Sequence, residues 1–166
     1  MPMRASSVAG LVLAAVALQG AAGFAGAQQA KSQAELRKAL IGTWRLVSIE
    51  GGATGANRGS KPTGLIYYDA NGYMAAQIMP DRPRPKWTGA PTPEQALEAF
   101  RGYTAYFGTY TIDEKAATVT HHRQGMLDGG TVDFVRRYEF APGDRIILTP
   151  VGNTATPTHL TWERIK

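Results

Sequence analysis

The side chains best suited to chemistry in this sequence are two adjacent histidines, His121 and His122, and one arginine, Arg136. An imidazole exchanges a proton near neutral pH, and a guanidinium binds a carboxylate or an enolate through two parallel hydrogen bonds. Together they would suit proton transfer without a cofactor, with a histidine as base and Arg136 or a tyrosine stabilising an oxyanion. Without a reaction, the same groups would suit binding of an anionic molecule.

The segment around Arg136 indicates which way that side chain points. Side chains alternate between the two faces of a strand, so the run from Phe134 to Phe140 places Arg136 and Tyr138 on an aromatic face. The opposite face is richer in charge, as expected beside solvent. We therefore predict that Arg136 points inward, where either a ligand anion or an internal Asp or Glu would pair with its charge.

The two histidines are neighbours in the chain, so a regular strand turns only one of them inward. Arg123 shares a face with His121 and prefers water, which favours His122 as the interior histidine. That residue is either a hydrogen-bonded core histidine or a base for proton transfer. A metal site formed by this pair and His159 is not expected, because the pair diverges and a catalytic zinc requires three converging ligands.

The same alternation adds tyrosines and one glutamine to the predicted lining of an interior cavity. Gly108 would leave room there for a ligand or for a bend of its strand. Tyrosines in such a lining either bind the ligand or pack with a bonded hydroxyl. No cofactor is expected. The predicted ligand-binding residues are Tyr67, Gln77, Tyr106, Tyr110, His122, Arg136 and Tyr138.

Strand-like runs joined by short turns indicate how these side chains are held. Asn71-Gly72 joins two of the runs, and both residues tolerate the positive φ of a two-residue hairpin turn. Helices are predicted after the capping residues Ser32 and Thr92. The even spacing predicts an all-β, eight-stranded antiparallel up-and-down barrel, with a short N-terminal helix and one helix between strands 3 and 4. The predicted strands cover residues 44–50, 64–69, 73–79, 105–112, 117–124, 131–140, 145–150 and 159–165.

The two ends of this barrel carry residues suited to closing it. Gly42 and Trp44 enter the first strand, and Arg164 lies on the last. When the first and last strands become neighbours, the guanidinium can lie across the indole face. Trp162 has the same parity as Arg164 and is the alternative partner of Trp44.

The first residues are typical of a targeting segment. Arg4 precedes an apolar run over 8–18, and Ala25-Gly26-Ala27 fits a small-residue cleavage site. We expect a secretory signal peptide over 1–27 and a single domain over 28–166, exported to the periplasm or secreted, with no stable membrane span after cleavage. An uncleaved membrane anchor is the alternative.

Composition excludes several classes of function. The chain has no cysteine, which rules out thiol catalysis, thiolate metal sites and iron–sulfur clusters. The formal net charge is +5, but basic residues cluster only over 82–86, between prolines. This segment is expected to be a solvated loop, and no nucleic-acid partner is expected.

Several blocks of the sequence, in order, resemble the bacterial and fungal lipocalin-like domain over roughly residues 38–166. The resemblance implies a barrel with a central cavity for a small hydrophobic or amphipathic molecule. Some similar barrels act as isomerases or cyclases, and an interior filled by side chains would leave a structural domain without a ligand. The blocks are Leu40–Ser48, Phe100–Tyr103, Ala105–Tyr110, Thr118–His122, Val135–Arg137, Gly143–Arg145 and Leu160–Arg164.

Overall fold

A computed structural model describes residues 32–52, 58–130, 132–152 and 155–166 of the protein. The predicted signal peptide, residues 1–27, lies outside the described residues. Across the described ranges, no helix is long and apolar enough to cross a membrane. The elements are α1 (Gln33–Leu40), β1 (Gly42–Gly51), β2 (Thr63–Tyr68), β3 (Tyr73–Met79), α2 (Pro93–Phe100), β4 (Thr104–Asp113), β5 (Thr118–Met126), β6 (Phe134–Ala141), β7 (Arg145–Pro150) and β8 (Thr158–Arg164).

The strands form one closed antiparallel barrel in which each strand pairs with its neighbour in the chain and β8 pairs with β1. The predicted eight-stranded up-and-down barrel with two helices is therefore confirmed. Both predicted helix starts are confirmed as well. Ser32 and Glu35 form a reciprocal capping box at α1, and Thr92 and Gln95 form another at α2. Each box satisfies backbone donors that the first turn of a helix leaves without partners.

Barrel closure involves the residues at the two ends of the sheet. Trp44 lies opposite Arg164 in the pairing of β1 with β8, and the Arg164 guanidinium carbon lies 4.1 Å from the centroid of the Trp44 ring. The same guanidinium donates hydrogen bonds to the carbonyl oxygens of Ala39 and Ile41, at the C-terminal end of α1. Gly42 has a φ of +135°, and a Cβ there would lie 2.6 Å from a guanidinium nitrogen of Arg164. One arginine thus joins α1, β1 and β8.

A β-bulge lies in β5 beside Gly108 of β4: Phe107 pairs with Gly125 and Gly108 with Arg123, so Gln124 is the extra residue. The register of the two strands shifts between Phe107 and Gly108. A Cβ atom at Gly108 would overlap the backbone carbonyl oxygen of His122. Of the two roles predicted for this glycine, the close backbone approach of a bend is the one that its surroundings require.

The hairpin formed by β2 and β3 faces the opposite way from the prediction. Ile66 and Tyr68 are buried, whereas Tyr67 is 46% exposed. On β3 the buried set includes Ile78, and Gln77 is exposed. The predicted inward orientation of Tyr67 and Gln77 is therefore wrong. The physical reason is that the observed register buries apolar side chains on both strands, while the predicted one would bury the Gln77 amide.

Two arginines of the Pro-rich segment hold the end of α2. Arg82 donates to the carbonyl oxygens of Glu98 at 2.7 Å and of Arg101 at 2.6 Å, and it forms an ion pair with the Glu98 carboxylate. Arg84 donates to another carbonyl oxygen of the last turn. These cations satisfy acceptors that the end of a helix leaves unpaired. The Arg82 side chain is only 13% exposed, so the prediction of a solvated loop is wrong for this residue.

Candidate functional site

The barrel interior contains a cavity of about 360 Å³. This size lies within the range of small-molecule sites. Its walls are mostly apolar and aromatic, and Phe100 and Tyr103, at and just beyond the end of α2, add to the lining. Other apolar lining residues are Ile66, Ala76, Ile78, Met126, Phe134, Leu148, Leu160 and Trp162.

Three guanidinium groups also line this cavity: those of Arg58, Arg123 and Arg136. Arg58 donates to the hydroxyl of Thr104 at 2.8 Å. The guanidinium carbon of Arg136 lies 4.6 Å from the centroid of the Phe134 ring. Within the described part of the chain, none of the three forms an ion pair with a carboxylate. The internal Asp or Glu considered as a partner for Arg136 is thus not found among the described residues.

The cavity is electrostatically positive as a result. Asp128 is the acidic residue of the described lining, and it is exposed. Burial, followed by the charge of Arg136, lowers the pKa of Arg58. Two buried donors that belong to lining residues, Nε of Arg58 and Nε1 of Trp162, have no hydrogen-bond partner among the described residues. A ligand with negative charge and hydrogen-bond acceptors would neutralise the positive charge and pair with these donors.

A buried histidine in the cavity wall is held between two tyrosines. His121 has no exposed surface. Its Nε2 lies 2.8 Å from the hydroxyl of Tyr68, and its Nδ1 lies 3.0 Å from the hydroxyl of Tyr106. Tyr106 and His121 line the cavity, whereas Tyr68 lies behind them in the core.

Burial keeps these groups neutral. It lowers the pKa of His121 to about 3, and the charges of Arg136, His122 and Arg123 act in the same direction. Burial also raises the pKa of Tyr68 and of Tyr106. An imidazole with so low a pKa is a weak base at neutral pH. The arrangement is therefore better suited to donating and accepting hydrogen bonds than to removing a proton from a carbon acid.

The predicted ligand-binding residues divide between the cavity and other places. Tyr106 and Arg136 line it. Tyr110 is buried, but its hydroxyl donates to the carbonyl oxygen of Asp69 at 2.8 Å. Tyr138 packs partly buried against the core. The structure thus brings together two members of the predicted set and holds Tyr110 and Tyr138 elsewhere in the barrel wall.

The prediction that His122 is the interior histidine is wrong, because His121 is the buried one. The prediction assumed that Arg123, which shares the face of His121, would seek water. Instead Arg123 is only 7% exposed. Its guanidinium carbon lies 3.4 Å from the centroid of the Phe134 ring, and its Nε donates to the carbonyl oxygen of Val132. Aromatic stacking and a backbone acceptor replace solvent for this cation.

His122 belongs to a hydrogen-bonded row on the outer face of the barrel. Its Nε2 lies 2.9 Å from the hydroxyl of Thr111, and its Nδ1 lies 2.8 Å from a carboxylate oxygen of Asp133. The order of groups is that of a nucleophile, a base and an acid. The His122 side chain is 37% exposed, however, and it does not line the barrel cavity. Within the described residues, no group of three or more His, Asp or Glu side chains is placed to hold a metal ion.

Sequence reasoning missed three residues of the site, Arg58, Arg123 and the core partner Tyr68. Arg58 follows a Gly-rich stretch with no periodicity, so nothing in the sequence indicated its direction. Arg123 carried a usable signal. Val119, His121 and Arg123 alternate with polar residues, and the apolar Val119 marks their face as the interior one.

Comparison with known proteins bears on this geometry. A family model described as a lipocalin-like domain matches residues 41–165, which include every strand of the barrel. No curated protein matches the chain.

Proposed function

Because the chain belongs to the lipocalin-like domain family, we propose that the cavity binds a small amphipathic anion, with its apolar part against the barrel walls and its charge among the arginines. Family membership supports ligand binding in general, and the chemistry of the lining supports the class of ligand. The observation that supports it most strongly is that Arg58, Arg123 and Arg136 line a cavity with many apolar side chains and have no carboxylate partner in the described part of the chain.

The charge argument can be given a magnitude. A hydrogen bond to a charged group contributes about 1.5–3 kcal/mol, because the alternative leaves one charge desolvated without a partner. One such bond corresponds to a preference of roughly 10- to 150-fold for an anion over a neutral molecule of the same shape. The apolar walls add binding free energy of about 25 cal/mol per Å² of ligand surface that they bury.

Two other functions were considered for the same cavity. A cofactor-free isomerase or cyclase would use the interior histidine as a base, and the low pKa of His121 argues against that role. A purely structural barrel would be filled by its own side chains, and a cavity of about 360 Å³ argues against that interpretation. Binding without reaction is the function that we favour.

The proposal also includes export to the periplasm or to the medium. It is supported by the sequence of residues 1–27, in which a short apolar run is followed by small residues. N-terminal sequencing of protein recovered from the medium or the periplasm tests it. A first residue at position 28 is expected, and an intact N-terminus on membrane-bound protein would contradict it.

A pair of probes with one shape and different charge tests the binding proposal. We suggest 1-naphthoate and 1-methylnaphthalene, each titrated by calorimetry into the purified protein. The naphthoate is expected to bind at least about tenfold more tightly, since only it carries a charge for the arginines. Equal affinity for the two probes, or binding of neither, would contradict the proposal.

A further inference from the structure

The buried row Tyr68–His121–Tyr106 has three polar protons for two hydrogen bonds, so each of its two arrangements leaves one tyrosine O–H without an acceptor in the row. A neutral imidazole carries one proton, so one ring nitrogen donates and the other accepts. With Nε2 protonated, the ring donates to Tyr68 and the Tyr106 hydroxyl donates to Nδ1. With Nδ1 protonated, both directions reverse. The two tautomers therefore leave a different tyrosine with an unused O–H.

The surroundings of Tyr68 decide between these tautomers. Tyr68 has no exposed surface, and within the described part of the chain its hydroxyl has one partner, Nε2 of His121. If Nε2 carried the proton, the Tyr68 O–H would be a buried donor without an acceptor. That loss shifts the tautomer equilibrium by about tenfold or more. Tyr68 therefore donates to Nε2, and His121 carries its proton on Nδ1.

This tautomer determines the hydrogen bonding of Tyr106. Nδ1 of His121 donates to the Tyr106 oxygen, which leaves the O–H of Tyr106 without an acceptor among the described residues. Tyr106 lines the cavity together with Arg136, and the charge of Arg136 acts on its hydroxyl by lowering the pKa that burial raises. A ligand in the cavity can supply the acceptor that the described residues do not give this O–H.

We propose that Tyr106 is a specificity-determining residue, whose hydroxyl, held as a donor by His121 and Tyr68, binds an oxygen of the ligand's anionic group beside Arg136. This inference rests on the proposed binding function and names the neutral donor that completes it. The ligand class is narrowed accordingly to carboxylates, enolates and other oxyanions. An anion without an oxygen acceptor would use the arginines alone.

The first test needs no ligand. Protein labelled with ¹⁵N in its histidines is measured by long-range ¹⁵N–¹H correlation spectroscopy, which distinguishes a protonated Nδ1 from a protonated Nε2. The signal of His121 is expected to show a protonated Nδ1. A protonated Nε2 would overturn the proposal, whatever the cavity binds.

The second test uses Tyr106→Phe, with Tyr73→Phe as the control. Tyr73 is 56% exposed on the outer face of β3. Its variant therefore also loses a tyrosine hydroxyl, but one that lies outside the cavity. Tyr106→Phe is expected to weaken 1-naphthoate binding about tenfold and to leave 1-methylnaphthalene binding unchanged. Tyr73→Phe is expected to change neither.

The outcomes separate this inference from the binding proposal. If the wild-type protein prefers 1-naphthoate and Tyr106→Phe retains that preference in full, the inference about Tyr106 is wrong and the binding proposal stands. If the wild-type protein shows no preference, the binding proposal itself fails. Equal weakening of both probes by Tyr106→Phe would also overturn the inference, because it would indicate a change in packing rather than a lost donor.

Discussion

Removing the charge of Arg136 should have opposite effects on ligand binding and on the stability of the ligand-free protein. The perturbation is Arg136→Met, which keeps a long apolar stem against Phe134 and removes the guanidinium. The matched control is Arg137→Met. Arg137 is the next residue on β6, and its side chain points out to solvent. The two variants therefore remove the same charge from the two faces of one strand.

For binding, the expected loss follows from the unpaired state of Arg136. It forms no ion pair with any described residue, so its charge is available to a ligand anion. Removing it should cost about 1.5–3 kcal/mol, or roughly 10- to 150-fold in the affinity for 1-naphthoate. Arg137→Met should leave that affinity within a factor of about two. Calorimetric titration at constant ionic strength measures both.

In the ligand-free protein the same substitution should be stabilising: it should raise the free energy of unfolding. Arg136 repels Arg58, whose pKa it lowers, and its partly buried charge is desolvated. Against this, the variant loses the cation–π contact with Phe134, 4.6 Å away, which contributes about 0.5–1 kcal/mol. Arg136 is only partly buried, so its desolvation costs less than the several kcal/mol of a fully buried ion, but together with the repulsion from Arg58 it outweighs that contact. We expect a net gain of about 1 kcal/mol, which raises the melting temperature by a few degrees.

The result that would refute this reasoning is a variant that melts lower and still binds 1-naphthoate with undiminished affinity. Arg136 would then be a structural residue with a partner inside the protein. Melting by calorimetry, with and without the probe, gives both quantities on the same samples. The control variant shows how much the loss of one positive charge outside the cavity changes binding and stability.

Three further predictions follow from other parts of the structure. His121 is neutral in the folded protein, with its pKa lowered to about 3 from the unfolded value of 6.5, so the unfolded chain binds more protons between those limits. Stability should thus be complete above pH 6.5 and fall by about 2 kcal/mol by pH 5, a slope that His121→Gln should flatten in urea titrations. Gly108→Ala should destabilise the barrel by about 2–4 kcal/mol, because the new Cβ overlaps the carbonyl of His122; a fully stable variant would exclude the bulge geometry. Arg164→Met should cost about 2–3 kcal/mol through the lost bonds to the end of α1 and the lost contact with Trp44, and unchanged urea unfolding would contradict that role.

The strands, the turns and the helix caps were predictable because their signals are local. Asn71-Gly72 indicates a hairpin on its own, and Ser32 with Glu35 indicates a helix start over a single turn. The pairing of Trp44 with Arg164 across the closed sheet could also be expected, because both residues lie on the terminal strands. Each of these features depends on few residues and on backbone geometry that admits few alternatives.

Whether an individual side chain points into the barrel or out to solvent was harder to predict, because contacts with other strands determine it. The error at His122 came from treating Arg123 as a residue that seeks water, whereas Phe134 and a backbone carbonyl lie beside it. The error at Tyr67 came from preferring one tyrosine over its neighbour Tyr68, which hydrogen-bonds to His121. Such partners come from distant strands, and within β5 only the apolar Val119 indicated that the face of His121 and Arg123 is the interior one.

If the cavity binds a small amphipathic anion, the protein purified from cells should carry such a molecule. Native mass spectrometry of the intact protein, followed by release and identification of the bound molecule, is the measurement. A complex with 1-naphthoate serves as the control for conditions that keep a ligand bound. We expect a bound acid with an apolar body that is lost from Arg136→Met. A neutral or cationic molecule, or no bound mass under conditions where 1-naphthoate stays in place, would contradict it.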